Sequence, residues 1–167
     1  MLTLNYLRLF LLGIWFGAAL FFSAVVAPGA FAVLRSYHAI NANEIAGALV
    51  NRTLSALNVS GLIIGLVCFA IGLVKFRKAS RRYFIIEVTS LALLILSTAV
   101  GHWLIAANMR ALRLTMGTPI DKIPPGDPRR IRFDTLHAYS VRALSVAMIG
   151  AIAGFVIVAL RAGVRTR

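Results

Sequence analysis

Residues 9–34 read LFLLGIWFGAALFFSAVVAPGAFAVL, and this run of 26 uncharged residues between Arg8 and Arg35 decides the fold. A hydrocarbon core about 30 Å thick is crossed by roughly 20 apolar residues in helical form. Three more such windows follow: 22 residues between Arg52 and Lys75, 22 between Glu87 and Arg110, and 18 between Arg142 and Arg161. The expected fold is therefore all-α: a polytopic membrane protein built as an antiparallel bundle of four transmembrane helices. It is read as a single domain over residues 1–167, with spans at about 6–27, 53–74, 83–107 and 137–160. At about 1.5 Å per residue, the fourth window reaches only roughly 27 Å. Its helix must begin before Arg142, whose side chain has to snorkel outward or find a partner.

Composition agrees. Hydrophobic residues make up 60% of the 167, and mean hydropathy is +0.87. A soluble domain is about 45–50% apolar. The net charge of +13 does not point to nucleic acid, because the basic residues sit mostly at the ends of apolar windows, where they meet anionic headgroups. Only KFRKASRR, residues 75–82, is a dense basic run, and it reads as a short cytoplasmic loop. Cys68 is the only cysteine, which excludes an intrachain disulfide or a thiolate cluster and leaves a small packing residue. The first apolar stretch is longer than a signal-peptide core and is expected to be retained.

Pro28 and Gly29 mark an expected kink or helix end. Asn43 reads as the N-cap of a second helix running on to Val74. The connection from Leu114 to Asp134 holds four of the five prolines and reads as an exposed loop. Four spans put both termini on one side. With the 75–82 loop, that side carries nine Lys and Arg, and the other side also nine, so the positive-inside count is tied. The density of the basic loop favours cytoplasmic termini.

Gly13/Gly17, Gly61/Gly65 and Gly150/Gly154 each form G-x-x-x-G, a spacing that lets a neighbouring helix backbone approach closely. Arg35, Arg52, Arg110, Arg113 and Arg142 all fall near one membrane face, because both odd-numbered connections lie there. Guanidinium groups suit carboxylate or phosphate, so this face is a candidate site for an anionic ligand or lipid headgroup. Snorkelling into headgroups, with pairing to Glu44, Asp121 or Asp134, is the alternative. At 100° per residue Arg113 lies about 20° from His102, so His102, Ala106, Met109 and Arg113 form one stripe. His102 and His137 are at comparable heights and are candidates for a haem or metal ion, although no acidic residue is placed to support them. Glu87, near the opposite face, pairs most simply with Arg81 or Arg82. No catalytic constellation stands out, and an enzyme is the less favoured reading.

GIWFGAALFFSAVVAPGAF (13–31), EIAGALVNRTL (44–54), ANMRALR (107–113) and FDTLHAYSVRAL (133–144) together resemble an uncharacterised bacterial membrane family. It is known as the domain of unknown function 4149 and is related to the eukaryotic transmembrane protein 205. The resemblance rests on Trp15 and Gly17, on Ala27, Pro28 and Phe31, on Arg110 and Arg113, and on Leu136, His137 and Ser140. It implies a small four-helix membrane protein and, through the eukaryotic relative, an association with drug resistance and secretion. No catalytic residues come with it. The layout is also similar to four-helix copper-resistance proteins, but the chain lacks their methionine- and histidine-rich character.

Three functions remain open at this level. One is non-enzymatic binding or transport of an anionic or amphipathic molecule, with membrane lipids as partners. Another is redox or metal chemistry through His102 and His137. The third is a structural role, as a homo-oligomer or as a subunit docked to a partner membrane protein.

Overall fold

The computed structural model describes residues 2–74 and 81–163. Most of the basic 75–82 run and the tail arginines Arg165 and Arg167 lie outside the described residues. Four long apolar helical stretches are present, Thr3–Ser36, Ala42–Val74, Arg81–Met116 and Pro128–Arg161, each long enough to cross a bilayer. The protein is an all-α, multi-pass membrane bundle.

The first stretch comprises α1 (Leu2–Phe21), a π-helical segment (Phe22–Val26) and α2 (Ala27–Ser36). The helix does not end at Pro28 and Gly29, which was one of the two outcomes expected there. A proline lacks an N–H and its ring crowds the carbonyl four residues earlier. The wider π turn sits at that position and absorbs both defects, so the helix continues to Ser36.

The second stretch is one helix, α3 (Ala42–Val74). Its cap is not the Asn43 side chain, which lies inside the first turn. The carbonyl of Asn41, at φ +59°, instead accepts from Glu44 N (2.9 Å) and Ile45 N (3.1 Å). The third stretch joins α4 (Arg81–Ala99), a second π segment (Val100–Ala106) and α5 (Ala107–Met116). Gly117, at φ +65°, closes α5 in the left-handed conformation that glycine adopts without a Cβ penalty.

The connection is not simply a solvated loop. A short 3₁₀ turn (Ile120–Lys122) folds Ile123 back against Met116 and Phe133 in a small buried cluster. The last helix, α6 (Pro128–Gly163), starts with proline at its first position, where no N–H is needed. Asp127 precedes it and accepts from Arg129 N at 2.8 Å.

The core holds Leu12, Trp15, Phe22, Leu91, Leu94 and Ala151, among others. Glycines set how closely the helices approach. A Cβ on Gly150 would meet backbone O of Ser90 at 2.6 Å and N of Leu94 at 2.9 Å, so α6 and α4 touch backbone to backbone there. On Gly61 it would strike the Trp15 ring at 2.7 Å, and on Gly65 it would strike Ile95 at 2.7 Å. Trp15 Nε1 donates to the Leu57 carbonyl at 2.9 Å, so its ring lies flat over the Gly61 groove. Gly13 and Gly154 make ordinary contacts, while Gly17 faces open space. Of the three pairs, Gly61/Gly65 has both glycines at close approach, Gly150/Gly154 has one, and Gly13/Gly17 has none.

One end of the bundle is bound by charge. Arg8 on α1 and Arg161 on α6 donate to opposite oxygens of Glu87 on α4. Glu87 and Arg8 are each 1% exposed, and Arg161 is 15% exposed. This replaces the expected pairing of Glu87 with Arg81 or Arg82. Those residues precede α4's buried face and are themselves exposed. A carboxylate held among apolar helices needs two charged donors to offset its desolvation, and only the bundle interior offers them. A Cβ on Gly72 would stand 2.7 Å from Glu87 Oε1, so glycine on α3 makes room for the cluster.

Candidate functional site

The opposite end is open. There α1 packs on α6, but beyond the π segment α2 packs on α3 instead, so the outer part of the first span leaves α6. A cavity of about 560 Å³ opens between them. Its volume is within the roughly 300–1,000 Å³ of small-molecule sites.

The cavity has an apolar body and a charged mouth. The body is formed by Phe22, Phe31, Leu54, Met109, Leu144 and Met148. The mouth carries Arg35, Arg113, Arg130, Asp121, Asp134 and His137. Both π segments border it, through Phe22 and Ser23 on one and Ala106 on the other. Ser23 and Pro28 on the first span, and Val141 and Ser145 on α6, line the cavity and are exposed.

Each arginine is held differently. Arg113 stands 3.6 Å from Glu44 and lies over the Phe133 ring at 5.1 Å, with Gly47 leaving space for its guanidinium. Arg130 Nη1 donates to the carbonyls of Ile120 (3.2 Å) and Ile123 (2.9 Å), which ties the connection to α6. Arg35 lies over Phe31 at 5.8 Å. Asp121 and Asp134 have no ion-pair partner among the described residues. Asn43 is a lining residue, and its Oδ1 is a shielded acceptor without a partner among the described residues.

Of the five arginines read from the sequence, Arg35 and Arg113 line the cavity. Arg52, Arg110 and Arg142 do not, and all three are exposed. Arg142 lies over Tyr139 at 5.8 Å. Arg130 was missed, because in sequence it is one of three arginines in PRRIR with nothing to distinguish it.

The His102 stripe does not survive intact. Ala106, Met109 and Arg113 line the cavity, but His102 does not, and its Nδ1 is 3.2 Å from Ser55 Oγ on α3. The π turns at Val100–Ala106 advance less per residue than α turns, so the 100° wheel fails across them. His137 does line the cavity. Among the described residues no three histidine, cysteine or carboxylate side chains come together as metal ligands. His102 is thus engaged by Ser55 on α3, while His137 faces the cavity from α6.

A family described as "domain of unknown function (DUF4149)" matches residues 10–117, well over half of the chain. The chain belongs to this family. The match in this DUF4149 protein covers the first three spans, and so includes Arg35, Asn43, Gly47 and Arg113 of the cavity. No curated protein and no solved structure matches the chain.

Proposed function

We propose that this DUF4149 protein binds an amphipathic molecule drawn from the membrane, holding its charged end at the arginine-bearing mouth and its apolar part in the cavity. The observation that carries the reading is the cavity itself: an apolar body and a charged rim, enclosed by helices long and apolar enough to cross a membrane. Binding sites combine a mostly apolar lining with a few placed polar groups. The same arrangement serves movement of the ligand between the leaflet and a partner.

With the basic 75–82 loop in the cytoplasm of a bacterium, the termini are cytoplasmic and the mouth faces outward. Five basic residues in that short loop support this orientation.

Native mass spectrometry of protein released from nanodiscs of mixed phospholipids tests the proposal. Wild type is expected to retain a phospholipid adduct. Ala106→Phe and Ser140→Phe, which fill the cavity from two sides, are expected to lose it while remaining monodisperse. Equal retention by wild type and both variants overturns the reading.

A further inference from the structure

The charges at the mouth come in both signs, and this narrows the class of headgroup. We infer that the cavity takes a zwitterionic headgroup with a primary ammonium, of the phosphoethanolamine kind, rather than a purely anionic one. The inference rests on the reading of the cavity as a lipid site.

On the cationic side, Arg113 is partly neutralised by Glu44, and Arg130 is engaged with two backbone carbonyls. Arg35 has no carboxylate within ion-pair distance among the described residues. Arg35 and the remaining donors of Arg113 are thus the groups available to a phosphate. On the anionic side, Asp121 and Asp134 are unpaired among the described residues, and Asn43 Oδ1 is an unsatisfied buried acceptor. Arg35, Arg113, Arg130, Asp121 and Asp134 all line one cavity.

A headgroup carrying only negative charge would satisfy the arginines and meet two carboxylates of its own sign. A primary ammonium supplies three N–H donors beside the phosphate, and the acceptors left open at the mouth are two carboxylates. A quaternary ammonium offers the charge without the donors. A lipid is favoured over a free phosphoethanolamine by the apolar body of the cavity and by the membrane-spanning helices that enclose it.

The test uses full-length protein in detergent, with phosphatidylethanolamine, phosphatidylglycerol and phosphatidylcholine at equal mole fraction, read by native mass spectrometry. Wild type is expected to retain phosphatidylethanolamine about fivefold over each of the other two, the scale of one partly exposed charge pair. Asp121→Asn with Asp134→Asn is expected to abolish that preference while still binding phosphatidylglycerol. Both positions are exposed, so the fold should persist, and an unchanged melting temperature checks this. Lipid retained without preference for phosphatidylethanolamine, or a preference untouched by the aspartate changes, overturns this inference but not the lipid site. Loss of all lipid from wild type overturns both. Thermal stabilisation by soluble phosphoethanolamine equal to that by the lipid overturns the assignment to a membrane source.

Discussion

Arg8 and Glu87, 79 positions apart in sequence, form an ion pair with both side chains shut away from the surface of the bundle. With Arg161 on the other carboxylate oxygen, this pair joins the first, third and fourth spans at one end. It leaves the other end free to open around the cavity.

Removing the central charge is expected to be costly. Glu87→Gln leaves two guanidinium groups among apolar helices, and breaking a buried pair costs about 3–5 kcal/mol. The variant should melt well below wild type. Replacing Arg8 and Glu87 together by Leu should be milder, because Arg161 is partly exposed and can turn outward. A Glu87→Gln protein that melts at the wild-type temperature would show that the pair contributes nothing.

The glycines separate into two classes. Gly150→Ala drives a methyl into the backbone of Ser90 and Leu94, which cannot move aside, and is expected to destabilise by roughly 1–3 kcal/mol as overpacking does. Gly17→Ala meets nothing within 4 Å and should be neutral or slightly stabilising. Thermal unfolding in one detergent ranks them, and the reverse order would refute the packing described above.

Of the five arginines read from the sequence, the two at the cavity should stand apart from the other three. Arg113→Ala is expected to weaken retention of a phospholipid by roughly tenfold, the loss of one hydrogen bond to a charged group. Arg52→Ala, Arg110→Ala and Arg142→Ala, all off the cavity, should leave retention near wild type. Gly47→Ala should mimic Arg113→Ala in part, since its methyl would sit 2.7 Å from Arg113 Nη2. Uniform losses across all the arginine variants would indicate a diffuse headgroup effect instead.

The start of α6 should carry an acid-side pH dependence. Side-chain and backbone hydrogen bonds from Arg129 hold the Asp127 carboxyl below its ordinary value. A group with a depressed folded value contributes stability above its unfolded value, and that contribution disappears as pH falls through the folded one. Melting temperatures are therefore expected to drop below about pH 4, and Asp127→Asn should flatten this part of the curve. An unaltered acid limb in the variant would remove Asp127 from the account.

Much of the architecture was legible in the chain because each span is a local property. Windows such as 9–34 and 53–74 are apolar and long enough by themselves, and in lipid a backbone must satisfy its own hydrogen bonds, which makes them helices. Gly61, Gly65 and Gly150 were legible as close-approach sites for a similar reason, since only glycine admits a neighbour at that distance. What the chain could not show was rotation and pairing. The two π segments alter which residues face inward, and so turn His102 to Ser55 while Arg113 stays at the cavity. The partner of Glu87 was equally hidden, because Arg81 and Arg82 are near in sequence and Arg8 and Arg161 are near only after packing. Length and hydrophobicity thus decide that four helices cross the membrane. Which charges meet, and where a cavity remains, depend on how those helices turn against one another.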